Sequence, residues 1–313
     1  MLNVLLPFFG LIAVGFVAGR FRLVTPASLT GLELFAAWVA LPVLYFHLIA
    51  TAPAGSIPGW GFVVAAVFAT YCTFAISFSI GALVNGGNVP EATVLGLVGS
   101  YSNAIFLAPP LVLVAFGPAA GAALGVIVAF ETVMLLIVTP LMMALGGTSR
   151  TDPAKLALDT ARDIGTNPVI VAVVLGLIVA AVGLRLPDAI DSLLVMVRSA
   201  AIPVALFVFG VSLSFRTLGS LPLDVPIAVG VKLVAHPLVV YLLLTWIGGF
   251  DPLWVRTAVV AAALPPAADV VRLATLYRAA SSAASQAVLL ASYVAIATVA
   301  LILILVVASL PGS

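Results

Sequence analysis

Two long apolar stretches of this chain carry at their centres the residues that a helix tolerates least. In the first, Gly99-Ser100-Tyr101-Ser102-Asn103-Ala104 is followed by Pro109-Pro110, and in the second, Ala263-Leu264-Pro265-Pro266 is followed by Asp269 and Arg272. Proline removes a backbone donor and frees a carbonyl, while Ser and Asn side chains compete with the helix for its own hydrogen bonds. Stretches of this length and apolarity read as membrane spans, and lipid cannot satisfy the groups that a break releases. Such backbone survives only where it is buried in protein or lines a polar cavity. Paired interrupted segments in the two halves of a chain point to the substrate site of a transporter.

Composition closes off most other classes. Of 313 residues, 64% are hydrophobic and 7% charged, and the mean hydropathy is +1.34, which leaves too little polar surface for a water-soluble domain. Twelve Lys and Arg against eleven Asp and Glu give no bias toward nucleic acid or an anionic membrane surface as a partner. Cys72 stands alone in an apolar segment, and His47 and His236 are far apart, so no disulfide, metal motif or cofactor is expected. No phosphate-binding loop is present to drive transport by hydrolysis. A membrane enzyme would need a cluster of acidic residues or histidines on one face, and the sequence offers none. Arg20 and Arg22 follow the first apolar run instead of preceding it, which predicts a retained first span and not a cleaved signal peptide.

Apolar runs of span length fall near 2–19, 30–50, 60–84, 91–117, 119–146, 166–183, 188–214, 225–247, 252–278 and 281–308. The predicted fold is therefore all-α and polytopic, with ten transmembrane helices. The polar stretch Thr148 to Asp163 carries Arg150, Asp152, Lys155, Asp159, Arg162 and Asp163. It separates a first five-span unit (1–147) from a second (166–313), with residues 148–165 as a cytoplasmic linker. The two units repeat. Pro7, Pro26 and Pro42 recur as Pro168, Pro187 and Pro203, each 161 residues later, and Phe116-Gly117-Pro118-Ala119-Ala120 meets Tyr277-Arg278-Ala279-Ala280-Ser281 at the same offset. Five is an odd number, so the second unit enters the membrane upside down, giving an inverted repeat.

The offset also sets Ser102-Asn103-Ala104 against Ala263-Leu264-Pro265. A break at Pro109-Pro110 would leave about seven residues before Gly117, roughly 10 Å against a half-thickness of ~15 Å. The breaks are therefore placed at Ser102-Asn103 and Pro265-Pro266, in spans four and nine, and Pro109-Pro110 is read as a kink. With the N-terminus outside, the inner loops hold Arg20, Arg22, Arg150, Lys155, Arg162, Arg216 and Arg278, and the outer loops hold Arg185 and Arg256. The excess favours both termini outside, in the inner (plasma) membrane.

Ionisable groups at membrane depth cost several kcal/mol unless paired or wetted, so each is a candidate. Glu131 lies near the middle of the fifth span and could hold a proton or a sodium ion, or serve helix packing. Lys232 and His236, four apart on one face of the eighth span, could meet a substrate carboxylate, or Lys232 could place its ammonium at a cation site; a snorkelling lysine is the plainer reading. Asp269 and Arg272 are three apart, which permits an ion pair. Asp269 is a second candidate for proton coupling, since its protonated form could donate to an anion that its ionised form would repel. Arg198 and Glu33 lie near span ends and read as interfacial, and His47 as a packing histidine. Ser102 and Asn103 can both replace lost backbone bonds and contact a ligand. With Ser100, Tyr101, Pro265 and Pro266 they complete the candidate substrate-binding set. Two half-helix N-termini at the breaks add partial positive charge, so the field favours a small anion.

On Ser102-Asn103 followed by Phe106-Leu107-Ala108-Pro109-Pro110-Leu111 and Phe116-Gly117, and on Ala263-Leu264-Pro265-Pro266 followed by Ala274-Thr275-Leu276-Tyr277, the chain resembles the auxin efflux carrier family over nearly its whole length. It is similar to the short form, without a long central loop. The resemblance implies a secondary transporter in which spans one, two, six and seven form a scaffold and spans three to five and eight to ten an elevator-like transport domain. It implies a small organic acid as substrate, a proton or sodium ion as a coupling partner, and a homodimer through the scaffold. Bile acid sodium symporters and sodium-proton antiporters share the broad architecture and supply the alternative reading, a sodium-coupled symporter or a cation-proton antiporter. The acidic Asp269 after the second break departs from the family's pattern.

Overall fold

In the computed structural model, which describes residues 2–53, 55–148 and 152–308, the apolar runs are helices. They are α1 (Leu2–Arg20), α2 (Pro26–Ala50), α3 (Trp60–Val84), α4 (Val89–Ser100), α5 (Ala104–Phe116), α6 (Ala119–Leu145) and α7 (Pro153–Thr166). There follow α8 (Pro168–Ala181), α9 (Asp188–Ser214), α10 (Asp224–Ile247), α11 (Pro252–Ala262), α12 (Ala268–Leu276) and α13 (Ser281–Ala308). Several starts share one device, a polar cap followed by proline. Thr25 accepts from the Ser28 N–H ahead of α2, Asn167 from Val169 and Ile170 ahead of α8, and Asp251 from Leu253 ahead of α11. Each cap satisfies donors that the helix cannot, and proline at the first position has no donor to leave unpaired.

Six of these helices, α2, α3, α6, α9, α10 and α13, are each long and apolar enough to cross a membrane, and a seventh span results if α7 and α8, bent by 62°, are counted together. The chain is an all-helical, multi-pass membrane protein. The polar stretch expected as a linker is largely the helix α7, in which no residue is buried. Its helix-forming Ala, Leu, Lys and Arg residues run without proline from Ala154 to Ile164, which favours a helix over a loop. Arg150 lies outside the described residues. Pro109 and Pro110 sit inside α5 without ending it.

The chain divides into two compact units. The first holds residues 1–59, 105–129 and 166–216, so it collects α1, α2, α8 and α9 together with most of α5 and the start of α6. Its closest helix pairing is α1 against α9: a Cβ added at Gly15 would stand 2.2 Å from the Phe207 carbonyl oxygen, and one at Gly210 2.0 Å from that of Ile12. His47 on α2 has both ring nitrogens engaged by α9, with Nε2 2.8 Å from Asp191 Oδ1 and Nδ1 3.0 Å from Arg198 Nη1. A guanidinium only donates, so Nδ1 accepts and the ring proton sits on Nε2, where it donates to Asp191. Arg198, expected at an interface, is held by this histidine.

The second unit holds residues 60–104, 130–165 and 217–313. Here α3 packs on α4 through small residues: the Gly96 position meets the Phe74 ring and the Gly99 position meets Ser77, whose hydroxyl donates to the Leu95 carbonyl at 2.8 Å. The helix α10 contains a π-helical turn over Val231–Ala235, just ahead of His236-Pro237. A proline ring clashes with the carbonyl one turn earlier, and the widened turn makes room for it.

The glycines of the first unit give a paired prediction. Gly210→Ala forces a methyl into the α1 backbone and is expected to destabilise by about 1–3 kcal/mol. Gly31→Ala, in α2 with nothing within 4 Å of the added carbon, is expected to stabilise by up to about 1 kcal/mol. Thermal unfolding in detergent measures both, and equal signs would contradict the close α1–α9 approach.

Candidate functional site

The two breaks fall where the sequence places them and answer one another. The first interrupts the chain between Ser100 and Ala104, and the second between Ala262 and Ala268. Ser102 and Pro266 form an isolated antiparallel bridge, with the Asn103 N–H donating to the Pro265 carbonyl at 2.8 Å and the Ala267 N–H to the Tyr101 carbonyl at 3.2 Å. In an antiparallel pair of this kind the facing residues spend no N–H on each other. Pro266, which has none, therefore costs the bridge nothing. Each break thus supplies one backbone donor and one backbone acceptor to the other.

The Ala262 carbonyl stands at the end of α11. It accepts from Lys232 Nζ at 2.7 Å. The same ammonium donates to Ser102 Oγ at 2.6 Å and to His236 Nδ1 at 2.8 Å. An ammonium has three hydrogens and no acceptor, so these three partners saturate it. Lys232 and His236 are fully buried, which answers the snorkelling alternative: the lysine does not reach for water. The π turn that carries Lys232 is a local feature often found at functional positions.

From His236 the polar contacts continue. Its Nε2 lies 3.3 Å from Thr70 Oγ1 on α3, and that hydroxyl lies 3.3 Å from Glu131 Oε1 on α6. Thr70 and Glu131 are both buried, and the charges of Glu131 and Lys232 are within electrostatic reach of each other. The sequence reading did not include Thr70. Its signal was the spacing of Thr70, Thr73 and Ser77, one buried polar stripe on an apolar helix.

The other candidates divide. Ser100 donates to the Gly96 carbonyl at 2.8 Å and so serves its own helix. Tyr101 is buried, hydrogen-bonds through its phenol to the Thr132 side chain, and lies within electrostatic reach of Asp269, Arg272 and Glu131. Asn103 is buried, and among the described residues its side-chain amide makes no hydrogen bond. Asp269 Oδ1 and Arg272 Nη2 pair at 3.2 Å on α12, with the side chains 38% and 79% exposed. That pair is open and not enclosed by protein, unlike Lys232. The N-terminus of α12 has no side-chain cap; the Val270 N–H turns back to the Ala267 carbonyl at 3.1 Å, which leaves the Ala268 and Asp269 amides as its first donors. Among the described residues there is no group of three or more His, Cys, Asp or Glu able to hold a metal ion.

Lys232 Nζ bonds Ser102 Oγ, His236 Nδ1 and the Ala262 carbonyl, and a buried polar group left without its partner costs about 1–3 kcal/mol. Lys232→Met is therefore expected to destabilise by at least about that amount, and Glu131→Gln, whose amide can still bond Thr70, by less. Thermal unfolding of both variants decides the point. A Lys232→Met variant as stable as the parent would show that these three bonds do not hold the breaks.

A chain whose buried charges meet at two mutually satisfied backbone breaks is built like a carrier, and comparison with known proteins agrees. A family described as membrane transport protein matches residues 1–303. A relative in Rhizobium meliloti (strain 1021), named as a putative malonate transporter, is 35% identical over 304 residues, covering 97% of this chain and 95% of its own. The chain belongs to the membrane transport protein family, that of the auxin efflux carriers, and is a transporter and not an enzyme.

Proposed function

We propose that the protein is a secondary transporter of small organic anions, working by alternating access in an elevator-like manner. The observation that carries this is the Lys232 ammonium, fully buried and anchored to both breaks through Ser102 and the Ala262 carbonyl. It sets a positive charge where two half-helix N-termini, those of α5 and α12, begin. With its hydrogens spent on the protein, the protonated lysine acts on a ligand through its charge and not by direct contact. The direct contacts then fall to the Asn103 amide, the first amides of α12 and the Ser102 hydroxyl, with Tyr101, Pro265 and Pro266 shaping the place. Ser100 and His236 support this set through the bonds they make, and Asp269 and Arg272 stand at its open side. A malonate-like dicarboxylate is the first substrate to try, given the relative's name.

The architecture in this reading is ten spans in two inverted five-helix repeats, with α4–α5 and α11–α12 as the broken spans four and nine. Backbone conformation supports it. Left-handed residues recur at the 161-residue offset: Arg22 (φ 59°) with Gly183 (φ 63°), and Gly117 (φ 79°) with Arg278 (φ 54°). A left-handed residue ends a helix, and a non-glycine there is uncommon enough that its matching position is informative. The grouping of α1, α2, α8 and α9 in one unit supports assigning them to the scaffold, with a homodimer formed through it, and α3, α10 and α13 to the moving part. Both termini face outward from the inner membrane, and Glu131 and Asp269 are the coupling candidates. A sodium-coupled symporter or cation-proton antiporter is the other reading. Either needs room for a cation near the carboxylate, and the chain's own ammonium already lies within reach of Glu131. Uptake that requires sodium would favour that reading.

Two measurements test this one. Asn103→Ala, which loses a neutral hydrogen bond worth roughly 0.5–1.5 kcal/mol, is expected to weaken malonate affinity about two- to tenfold while leaving the fold intact. Unchanged affinity in a well-folded variant would leave Asn103 a structural role only. In a background lacking Cys72, single cysteines at Asp159 and at Arg185 are expected to react with an impermeant thiol reagent from opposite sides. Reaction of both from one side would remove the inverted repeat.

A further inference from the structure

Lys232, His236, Thr70 and Glu131 form a continuous chain of buried polar groups that can be satisfied in two ways. In one, the Lys232 ammonium donates to His236 Nδ1 (2.8 Å), the His236 Nε2–H donates to Thr70 Oγ1 (3.3 Å), and the Thr70 hydroxyl donates to the Glu131 carboxylate (3.3 Å). In the other, Glu131 is the neutral acid and donates to Thr70, Thr70 donates to His236 Nε2, and His236 Nδ1–H donates to a neutral Lys232 amine. That amine keeps two hydrogens, enough for Ser102 Oγ and the Ala262 carbonyl. Every contact survives the exchange with donor and acceptor reversed. The two states differ by three protons each moved one step, a net transfer of one proton from Lys232 to Glu131.

We propose that this chain is an internal proton relay, and that an anion bound at the breaks decides at which end the proton rests. The step balances within the protein. A Lys232 Nζ–H bond breaks as His236 Nδ1–H forms, His236 Nε2–H breaks as Thr70 Oγ1–H forms, and Thr70 O–H breaks as Glu131 Oε1–H forms. Without substrate the neutral amine and acid avoid the cost of burying two charges. A carboxylate arriving beside Ser102, 2.6 Å from Nζ, stabilises the ammonium and draws the proton back from Glu131. The charge that holds the substrate therefore appears when the substrate is present. Thr70 is the switch point, because its single hydrogen is also within reach of the Ala66 carbonyl at 3.3 Å, and the relay is open while it points there. The ionisable groups around the relay are its own three, the Tyr101 phenol beside Thr132, and the Asp269–Arg272 pair beyond it.

The inference rests on the anion reading above, and one experiment separates the two. The chain has three glutamates, of which Glu33 is exposed, Glu91 half-buried and Glu131 buried. Protein carrying glutamate labelled with carbon-13 at the side-chain carboxyl, compared with unlabelled protein by infrared difference spectroscopy, reports their protonation apart from every other carboxyl. At neutral pH a carboxylic-acid band is expected without substrate, to be replaced by a carboxylate band on saturation with malonate. In Thr70→Val that replacement is expected to be lost, and in Thr70→Ser to be retained. A labelled band that malonate leaves unchanged, or that is absent from the start, overturns the relay while leaving the transporter reading in place. A wild-type response in Thr70→Val overturns the path through Thr70. Failure of malonate and a panel of other carboxylates to shift the thermal stability of the protein overturns the anion reading itself, and with it the trigger.

Discussion

A break in a buried apolar helix is tolerated only when another group accepts the exposed backbone, and here each break supplies such groups to the other. Each unsatisfied backbone group in hydrocarbon costs several kcal/mol. The pairing of Asn103 with Pro265 and of Ala267 with Tyr101 removes two donors and two acceptors at once. Neither segment could hold this conformation alone, because each supplies the partners that the other lacks. The mutual pairing also ties together the ends of α4, α11 and α12. The buried Lys232 is tied to that junction through Ser102 and the Ala262 carbonyl, and His236, Thr70 and Glu131 continue from it.

Lys232 extends the same logic. The cost of burying an ammonium is several kcal/mol. A hydrogen bond to a charged group contributes about 1.5–3 kcal/mol, so three of them, with a carboxylate in reach, can offset it. The three acceptors come from the first break, from the end of α11 and from the lysine's own helix. The ammonium therefore acts as a tie between elements distant in sequence as well as a charge. A side chain held at three points has little freedom to follow a ligand, which is why the proposed response to substrate is a proton moved and not a side chain moved.

Much of this was legible in the sequence, because much of it is local. Prolines and small polar residues inside apolar runs mark breaks whatever the tertiary fold, and the spacings of Lys232 with His236 and of Asp269 with Arg272 give contacts along a single helix. Thr70 and the Ala262 carbonyl were not legible as partners of Lys232 and His236. One is a common residue with an ordinary helix role and the other a backbone atom, and only packing brings them to the site. His47 shows the same limit, since Asp191 and Arg198 share a face of α9 but nothing in the sequence says which helix they meet. The helix at 153–166 was obscured by its charges, which describe a solvated face as readily as a loop.

The two acid–base pairs of the second unit invite comparison, since the sequence offers both Asp269 and Glu131 as coupling sites. Asp269 and Arg272 are three residues apart on one helix, and their exposure lets solvent weaken the pair to about 0–1 kcal/mol. A proton bound or lost there changes a charge that water already screens. Glu131 and Lys232 come from different helices and are buried, so a change at one is felt at the other with little screening. Lys232 also touches Ser102 at the first break, which Asp269 does not. On the proposed relay, charge reaches the breaks through a short, dry path, which favours Glu131 over Asp269 as the proposed coupling site.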